Sequence, residues 1–308
     1  MITRILRKIS LINRMTLIKL IGIVTVLISV ISCEKNITLN LPVAEPKLVV
    51  EGYIYQDTFP YVILTRNVPF FSTLDSSTLQ EYVVKGATVI VSDGITTDTM
   101  IEINYGQLTF YASLDNNLKG RVGRTYSLRV EADGQVVTST TTIPEPVPLD
   151  SVWWKVQGEH DTLGFAWAHL TDPDTLGNYY RWFAKRINHY PDGDQKDADF
   201  IAPIGSTFDD KFINGKSFDF FYNRGNLPNS TKEDDENEER LFFKTGDTIV
   251  VRFCTIDRAS FQFWRDEETQ GSNNGNPFAN PAPVTSNIKD GLGVWGGYSV
   301  TYDTIIAR

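Results

Sequence analysis

The sequence predicts a mostly all-β protein: two antiparallel β-sandwich modules, the second carrying long loops and one short helix. Three observations lead there. Between Lys47 and Ile143, seven short runs of branched and aromatic residues alternate with turn signals, and no helical period intervenes. Three prolines then fall within Pro144-Glu-Pro146-Val-Pro148. Beyond them the β-rich runs resume, separated by long polar stretches. The chain has 308 residues, 41% of them apolar and 12% aromatic, which is ample for buried cores.

The N-terminus reads as an address. Residues 1–32 carry five bases (Arg4, Arg7, Lys8, Arg14, Lys19) and no acid, and Leu20–Ser32 is an uncharged, almost wholly apolar run of 13 residues. A spanning helix needs about 20 apolar residues, whereas the apolar region of a secretory signal needs about 7–15. Val30-Ile31-Ser32-Cys33 resembles the bacterial lipobox. That resemblance implies a diacylglyceryl group on the sulfur of Cys33, cleavage before it and acylation of the new amino group, palmitate being a typical chain. More than one acyl chain makes such anchoring stable. The bland alternative is an uncleaved anchor with Cys33 as an ordinary small residue. Met15, flanked by Arg14 and Lys19, could serve as the start without altering the reading. The expected organisation is a signal peptide over 1–32, a linker over 33–46, a first sandwich over 47–143, a connector over 144–150 and a second β-rich domain over 151–308.

Charge and cysteine count exclude several classes. Against 29 Lys+Arg stand 38 Asp+Glu, a net charge of −9. Without the basic leader the remaining 276 residues carry −14. Such a body repels phosphate backbones, so nucleic acid is not an expected partner. Two cysteines and three histidines leave no disulfide scaffold and no Cys-based zinc site. Cys254, within an apolar run, is expected to be an inert core residue.

In the first module the expected strands are Lys47–Gln56, Tyr61–Arg66, Ala87–Ser92, Thr99–Ile103, Leu108–Ser113, Tyr126–Ala132 and Val136–Ile143. Asp93-Gly94, Tyr105-Gly106 and Asp133-Gly134 punctuate them, the last as a two-residue hairpin. In Gly123-Arg-Thr-Tyr126-Ser-Leu128-Arg-Val130 strict alternation buries Tyr126, Leu128 and Val130 on one face. This segment resembles the penultimate strand of fibronectin-type sandwiches, which implies modules of immunoglobulin/fibronectin-like type. The prolines at 144–148 cannot donate to a ladder and favour a stiff connector.

The second module offers Ser151–Val156, Leu163–His169, Tyr179–Ile187, Gly246–Ile256 and Tyr298–Ile305 as strands. Arg258–Gln270 lacks glycine and proline and spaces Phe261 and Trp264 as a short amphipathic helix, its polar side carrying Arg265, Glu267 and Glu268. Between Asn188 and Lys244 long connections carry one or two short strands around Phe218–Tyr222; loops of that length are usually functional or disordered.

Motifs for chemistry are few. Gly291-Leu-Gly293-Val-Trp-Gly296 matches the dinucleotide pattern, but no strand precedes it and a β-like run follows, so a glycine-rich turn entering the last strand is the better reading. Asp192, Asp194, Asp197 and Asp199 gather four carboxylates. An EF-hand loop would require an oxygen ligand where Lys196 stands and glycine at Asp197, which leaves a looser calcium site or a solvated acidic loop. Asp172-Pro-Asp174 reads as a side-chain-capped turn. Glu233–Glu239 reads as a self-repelling loop tip. His160, His169 and His189 show no ligand spacing, and no cofactor is expected. Two aromatic groups could form a sugar-stacking platform: Phe59, Tyr61, Phe70, Phe71, and Phe218, Phe220, Phe221, Tyr222. The candidate ligand or partner contacts are Phe70 and Phe71, adjacent aromatics beside Pro69 that cannot both point inward, and Tyr222.

Several segments together resemble the Bacteroidota lipoproteins grouped as domain-of-unknown-function family 4249. They are Cys33, Leu41-Pro42, Pro46–Ile54, Gly86-Ala87, Gly123–Leu128, Thr142–Pro144, Leu170–Pro173, Tyr179-Tyr180, Phe208–Asp210, Gly215-Lys216 and Gly246–Thr248. Asn276–Phe278, Pro283, Ser286–Ile288 and Gly291–Gly293 complete the series. The resemblance implies a lipoprotein of the outer membrane, at the cell surface or on its periplasmic face, often encoded beside a TonB-dependent β-barrel transporter. It brings no catalytic residues. The expected function is therefore a non-enzymatic, lipid-anchored accessory that binds the transporter or its ligand. An envelope hydrolase using carboxylates or a metal, and an adhesive or structural surface module, are the alternatives.

Overall fold

The computed structural model describes residues 45–68, 78–106, 108–158, 160–225, 241–273 and 283–308, together with Lys19. Glu45–Arg308 forms one compact unit. Its early strands are β1 (Leu48–Tyr55), β2 (Tyr61–Arg66), β3 (Thr88–Ser92), β4 (Thr97–Thr99), β5 (Ile101–Tyr105), β6 (Leu108–Ala112), β7 (Thr125–Ala132) and β8 (Gln135–Thr142). After the prolines come β9 (Ser151–Val156), β10 (Leu163–Thr171), β11 (Tyr179–Arg186), β12 (Thr207–Asp209), β13 (Ser217–Tyr222), β14 (Phe243–Lys244) and β15 (Thr248–Ile256). Helix α1 (Arg258–Asn273) and strand β16 (Leu292–Ile306) close the chain. The protein is mostly β and sandwich-like, as its alternating runs predict.

Local rules account for most of these elements. Asp133 and Gly134 both take positive φ, 53° and 75°, as a type I′ turn between β7 and β8 requires. Tyr126, Leu128 and Val130 are buried while Thr125, Ser127 and Arg129 face water. The Tyr126 hydroxyl donates to the Lys119 carbonyl at 3.0 Å and accepts from the Arg121 amide at 2.8 Å, the arrangement of a tyrosine corner. Asp257 caps α1 by accepting from the Ser260 amide at 2.7 Å.

Three sheets result. An eight-stranded sheet runs in the order β12-β11-β15-β16-β1-β2-β6-β5. One end of it faces the sheet β4-β3-β7-β8, and Val50, Ile54, Val62, Leu64, Val89, Leu128 and Trp295 fill the first core between them. The other end faces β9, β10, β13 and β14 across a second core of Tyr180, Trp182, Val251, Phe253, Ala166 and Ala168.

The prolines do run between two cores, but β16 belongs to both. Its first half pairs in parallel with β1, from Val49↔Leu292 to Tyr55↔Tyr298. Its second half pairs antiparallel with β15, from Thr248↔Ile306 to Ile256↔Tyr298. The glycine-rich segment read as a turn is thus the start of the strand. Glycine is needed there for packing: Gly293 has φ 104°, and a Cβ on it would lie 1.9 Å from the Val50 carbonyl oxygen. At Gly52 a Cβ would lie 2.7 Å from the Trp295 ring, so Gly52 leaves the space that the indole fills.

Candidate ligand-binding cleft

Alternation on the large sheet decides which side chains meet on its outer face. Leu48, Val50, Gly52 and Ile54 of β1 face inward, so Tyr53 and Tyr55 emerge on the opposite side. Register sets Tyr61 beside Tyr53, Tyr298 beside Tyr55, Tyr302 beside Arg252 and Arg252 beside Phe183. Tyr53, Phe183, Cys254, Ile256, Phe261 and Tyr298 form a third buried cluster there. Helix α1 covers part of it, and Trp264 donates its indole N–H to the Tyr298 hydroxyl at 2.8 Å. Burial pushes the Tyr298 hydroxyl up to about 12 and raises Tyr61 and Tyr53 as well, the last reinforced by Tyr298 and Glu51. At neutral pH these tyrosines are hydrogen-bond donors rather than bases.

Where β1 and β2 approach β15 and β16, a cleft of about 560 Å³ opens. Tyr55, Phe59, Tyr61 and Tyr302 supply its aromatic walls, with Arg252, Gln56 and Asp57 among them. The Arg252 guanidinium carbon lies 4.1 Å from the Phe183 ring centroid, 4.4 Å from Phe200 and 5.5 Å from Tyr55. Its Nε is buried without a hydrogen-bond partner among the described residues, and so is Oε1 of Gln56. Gln56 donates its amide nitrogen to Asp57 Oδ2 at 3.2 Å, which leaves that carbonyl oxygen to accept from elsewhere. No carboxylate among the described residues lies within ion-pairing distance of Arg252. An aromatic-walled cleft that carries a guanidinium and a side-chain amide can recognise a small molecule.

Of the aromatic groups singled out in the sequence, Phe59 and Tyr61 reach this cleft. Phe70 and Phe71 lie outside the described residues, as do Cys33 and Glu233–Glu239. Tyr222 turns inward: its hydroxyl donates to the Gly205 carbonyl at 2.9 Å and its ring packs against Trp182. Period two sends its neighbour Phe221 outward instead, 43% exposed, to stack with Phe165 and Trp167.

The four aspartates part company. Asp192, Asp194 and Asp199 are exposed, whereas Asp197 is fully buried against Arg186. Burial works against the charge on Arg186, and the hydrogen bonds and charge of Asp197 outweigh it, so the guanidinium is held protonated. Among the described residues no three His, Cys, Asp or Glu side chains could together hold a metal ion. His169 pairs with Asp219 at 2.6 Å, and His160 packs on Phe242.

Residues carrying the family resemblance meet as structural ties. Asp172 accepts from the Tyr180 hydroxyl and from the Gly215 amide, while Asp210 accepts from the amides of Gly177 and Asn178 at 2.7 and 2.8 Å. Asn287 brackets Trp295, accepting from its amide at 2.9 Å and donating to its carbonyl at 2.8 Å. Sequence reading missed Arg252, Gln56, Tyr55 and Tyr302. Arg252 did leave a signal, being the one charged residue in Thr248–Ile256.

Cys254 is fully buried and burial pushes its thiol up to about 12. In a Cys33→Ser chain, where Cys254 is the sole thiol, a disulfide-exchange reagent at pH 8 is expected to label no sulfur in the native protein and one after denaturation. Rapid native labelling would contradict the packing described.

Fold and cleft define a mostly β protein whose shared central sheet presents a ligand-sized cleft on its outer face. Among the described residues no helix is long and apolar enough to cross a membrane. The chain belongs to the family described as domain of unknown function (DUF4249), whose model matches residues 34–304. No curated protein matches it.

Proposed function

We propose that this chain is a lipid-anchored envelope protein without catalytic activity, accessory to a TonB-dependent outer-membrane transporter whose barrel or ligand it binds. The anchor rests on Cys33 and the apolar run before it, and the transporter on the family resemblance. The single observation that carries the binding role is the cleft: between aromatic walls, Arg252 and Gln56 each hold a buried hydrogen-bonding atom without a partner among the described residues. Asp57 is the one carboxylate among the residues lining it. Glycoside hydrolysis needs two flanking the bond, so the lining favours holding a molecule over cleaving one.

Affinity isolation of the anchored protein from outer membrane in mild detergent is expected to bring down a β-barrel in near-stoichiometric amount. Recovery of the lipoprotein alone would count against the partnership. Mass spectrometry of the mature chain is expected to find acyl groups on Cys33; an unmodified sulfur with the leader attached would remove the anchor.

A further inference from the structure

The outer face of the large sheet sets three cations against aromatic rings. Phe183 of β11 stands opposite Arg252 of β15, with Arg181 and Lys185 two residues to either side of it. The guanidinium of Arg181 lies 3.5 Å over the Trp264 ring and 4.8 Å from Phe183, and Lys185 Nζ lies 4.8 Å over Phe200. None of the three cations has a carboxylate within ion-pairing distance among the described residues. Arg181 is itself more than nine-tenths buried, and its Nε, like that of Arg252, has no acceptor. Aromatic faces offset part of the burden of gathering like charges, but a ring quadrupole is a weaker partner than an anion. Elsewhere in the molecule a buried guanidinium takes a carboxylate, as Arg186 takes Asp197. In the cleft the one lining carboxylate, Asp57, takes the amide of Gln56 and does not ion-pair with Arg252.

We propose that the cleft binds a small carboxylate that bears a six-membered ring, its anionic group meeting the Arg252 guanidinium and, once the Gln56 amide turns toward it, an adjacent hydroxyl or N–H donating to Oε1 of Gln56. This rests on the reading of the chain as a binding protein and specifies what it holds. Tyr302, 61% exposed at the mouth, and Tyr55 and Tyr61 within, provide faces against which a ring can lie. Arg181 and Lys185 do not line the cleft, and carboxylates act nearby, Glu268 on Arg181 and Glu51 and Asp199 on Tyr61, so the preference for an anion rests on Arg252. Two sources share the required chemistry: an acidic sugar, with carboxylate and neighbouring hydroxyl on a pyranose ring, and an acylated aromatic amino acid, with carboxylate and neighbouring amide N–H.

The test is titration of the full chain in mild detergent with D-glucuronate, N-acetyl-L-tyrosine and the methyl ester of each, followed by calorimetry or ligand-observed NMR. At least one acid is expected to saturate, and its ester to bind at least about tenfold more weakly, since esterification removes the charge that Arg252 meets. The acid that saturates identifies the source. Arg252→Gln is expected to abolish the acid-over-ester preference. Tyr302→Ala, at an exposed position, is expected to weaken acid and ester alike and serves should the Arg252 variant fail to fold. Equal binding of acid and ester, or no saturable binding of either acid in the millimolar range, overturns the proposal. Co-isolation of a barrel is scored separately, so loss of the carboxylate preference with the barrel retained would retire this inference and leave the accessory role standing.

Discussion

Asp197→Ala is expected to destabilise the protein by about 3–5 kcal/mol, the range for removing one partner of a buried ion pair. Oδ2 of Asp197 accepts from the Arg186 amide at 2.6 Å and its Nε at 3.0 Å, and Oδ1 accepts from Nη2 at 2.8 Å. Arg224 adds a second guanidinium, its Nη1 3.7 Å from Oδ1. Alanine would leave a fully buried guanidinium facing a void, and the main-chain N–H of Arg186 would lose its acceptor too. Total stability of a folded domain is about 5–15 kcal/mol, so the variant should sit near the edge of folding. Equilibrium denaturation in urea measures it, and heating should show a melting temperature lower by roughly 10 °C. Asp194→Ala, three residues away on an exposed carboxylate, should change stability by less than about 0.5 kcal/mol. If instead the two substitutions act alike, or a chelator lowers the melting temperature of the unaltered chain, the four aspartates would have to be read again as a metal loop.

Trp295→Ala is expected to cost about 3–5 kcal/mol as well, for a different reason. The indole is wholly buried in the first core, filling the space above Gly52, and its N–H donates to the Tyr126 carbonyl at 3.1 Å. Deleting a buried aromatic side chain loses its transfer free energy and leaves a cavity that a close-packed interior cannot collapse. Trp295 also sits on the half of β16 that pairs with β1, while the other half pairs with β15. The damage should therefore reach the junction between the cores. Hydrogen exchange should accelerate in β1 and β7 more than in β10 and β13. Trp295→Phe, which keeps a ring and loses the N–H, should fall between wild type and alanine. A loss below about 1 kcal/mol for alanine would mean that β16 is held by its ladder bonds alone.

These two residues show where reading the chain succeeds and where it stops. The strands around Val50, Ile90, Leu128 and Ile249 were legible because a period of two is a property of neighbouring residues. The Asp133-Gly134 hairpin was legible because left-handed backbone at two consecutive positions restricts the choice of residue. Helix α1 was legible in its lack of glycine and proline and in the spacing of Phe261 and Trp264, although Glu268, expected on the polar side, bonds the Gly205 amide at 3.1 Å and Thr207 at 3.2 Å. Asp197 and Asp194 look alike in sequence, and only the arrival of Arg186 and Arg224 separates them.

The cleft was half legible. Phe59 and Tyr61 stand close together in the chain and could be grouped on sight, whereas Arg252 and Tyr302 come from strands far along it. Composition, alternation and turn chemistry determined by themselves that this is an acidic, mostly β protein of sandwich-like build. Tertiary structure alone decided that one last strand serves both cores, which aspartate is buried, and which aromatics surround Arg252. The reason is physical: backbone sterics act between adjacent residues and are written locally, while strand pairing and the meeting of charges depend on which distant segments bury each other's surfaces.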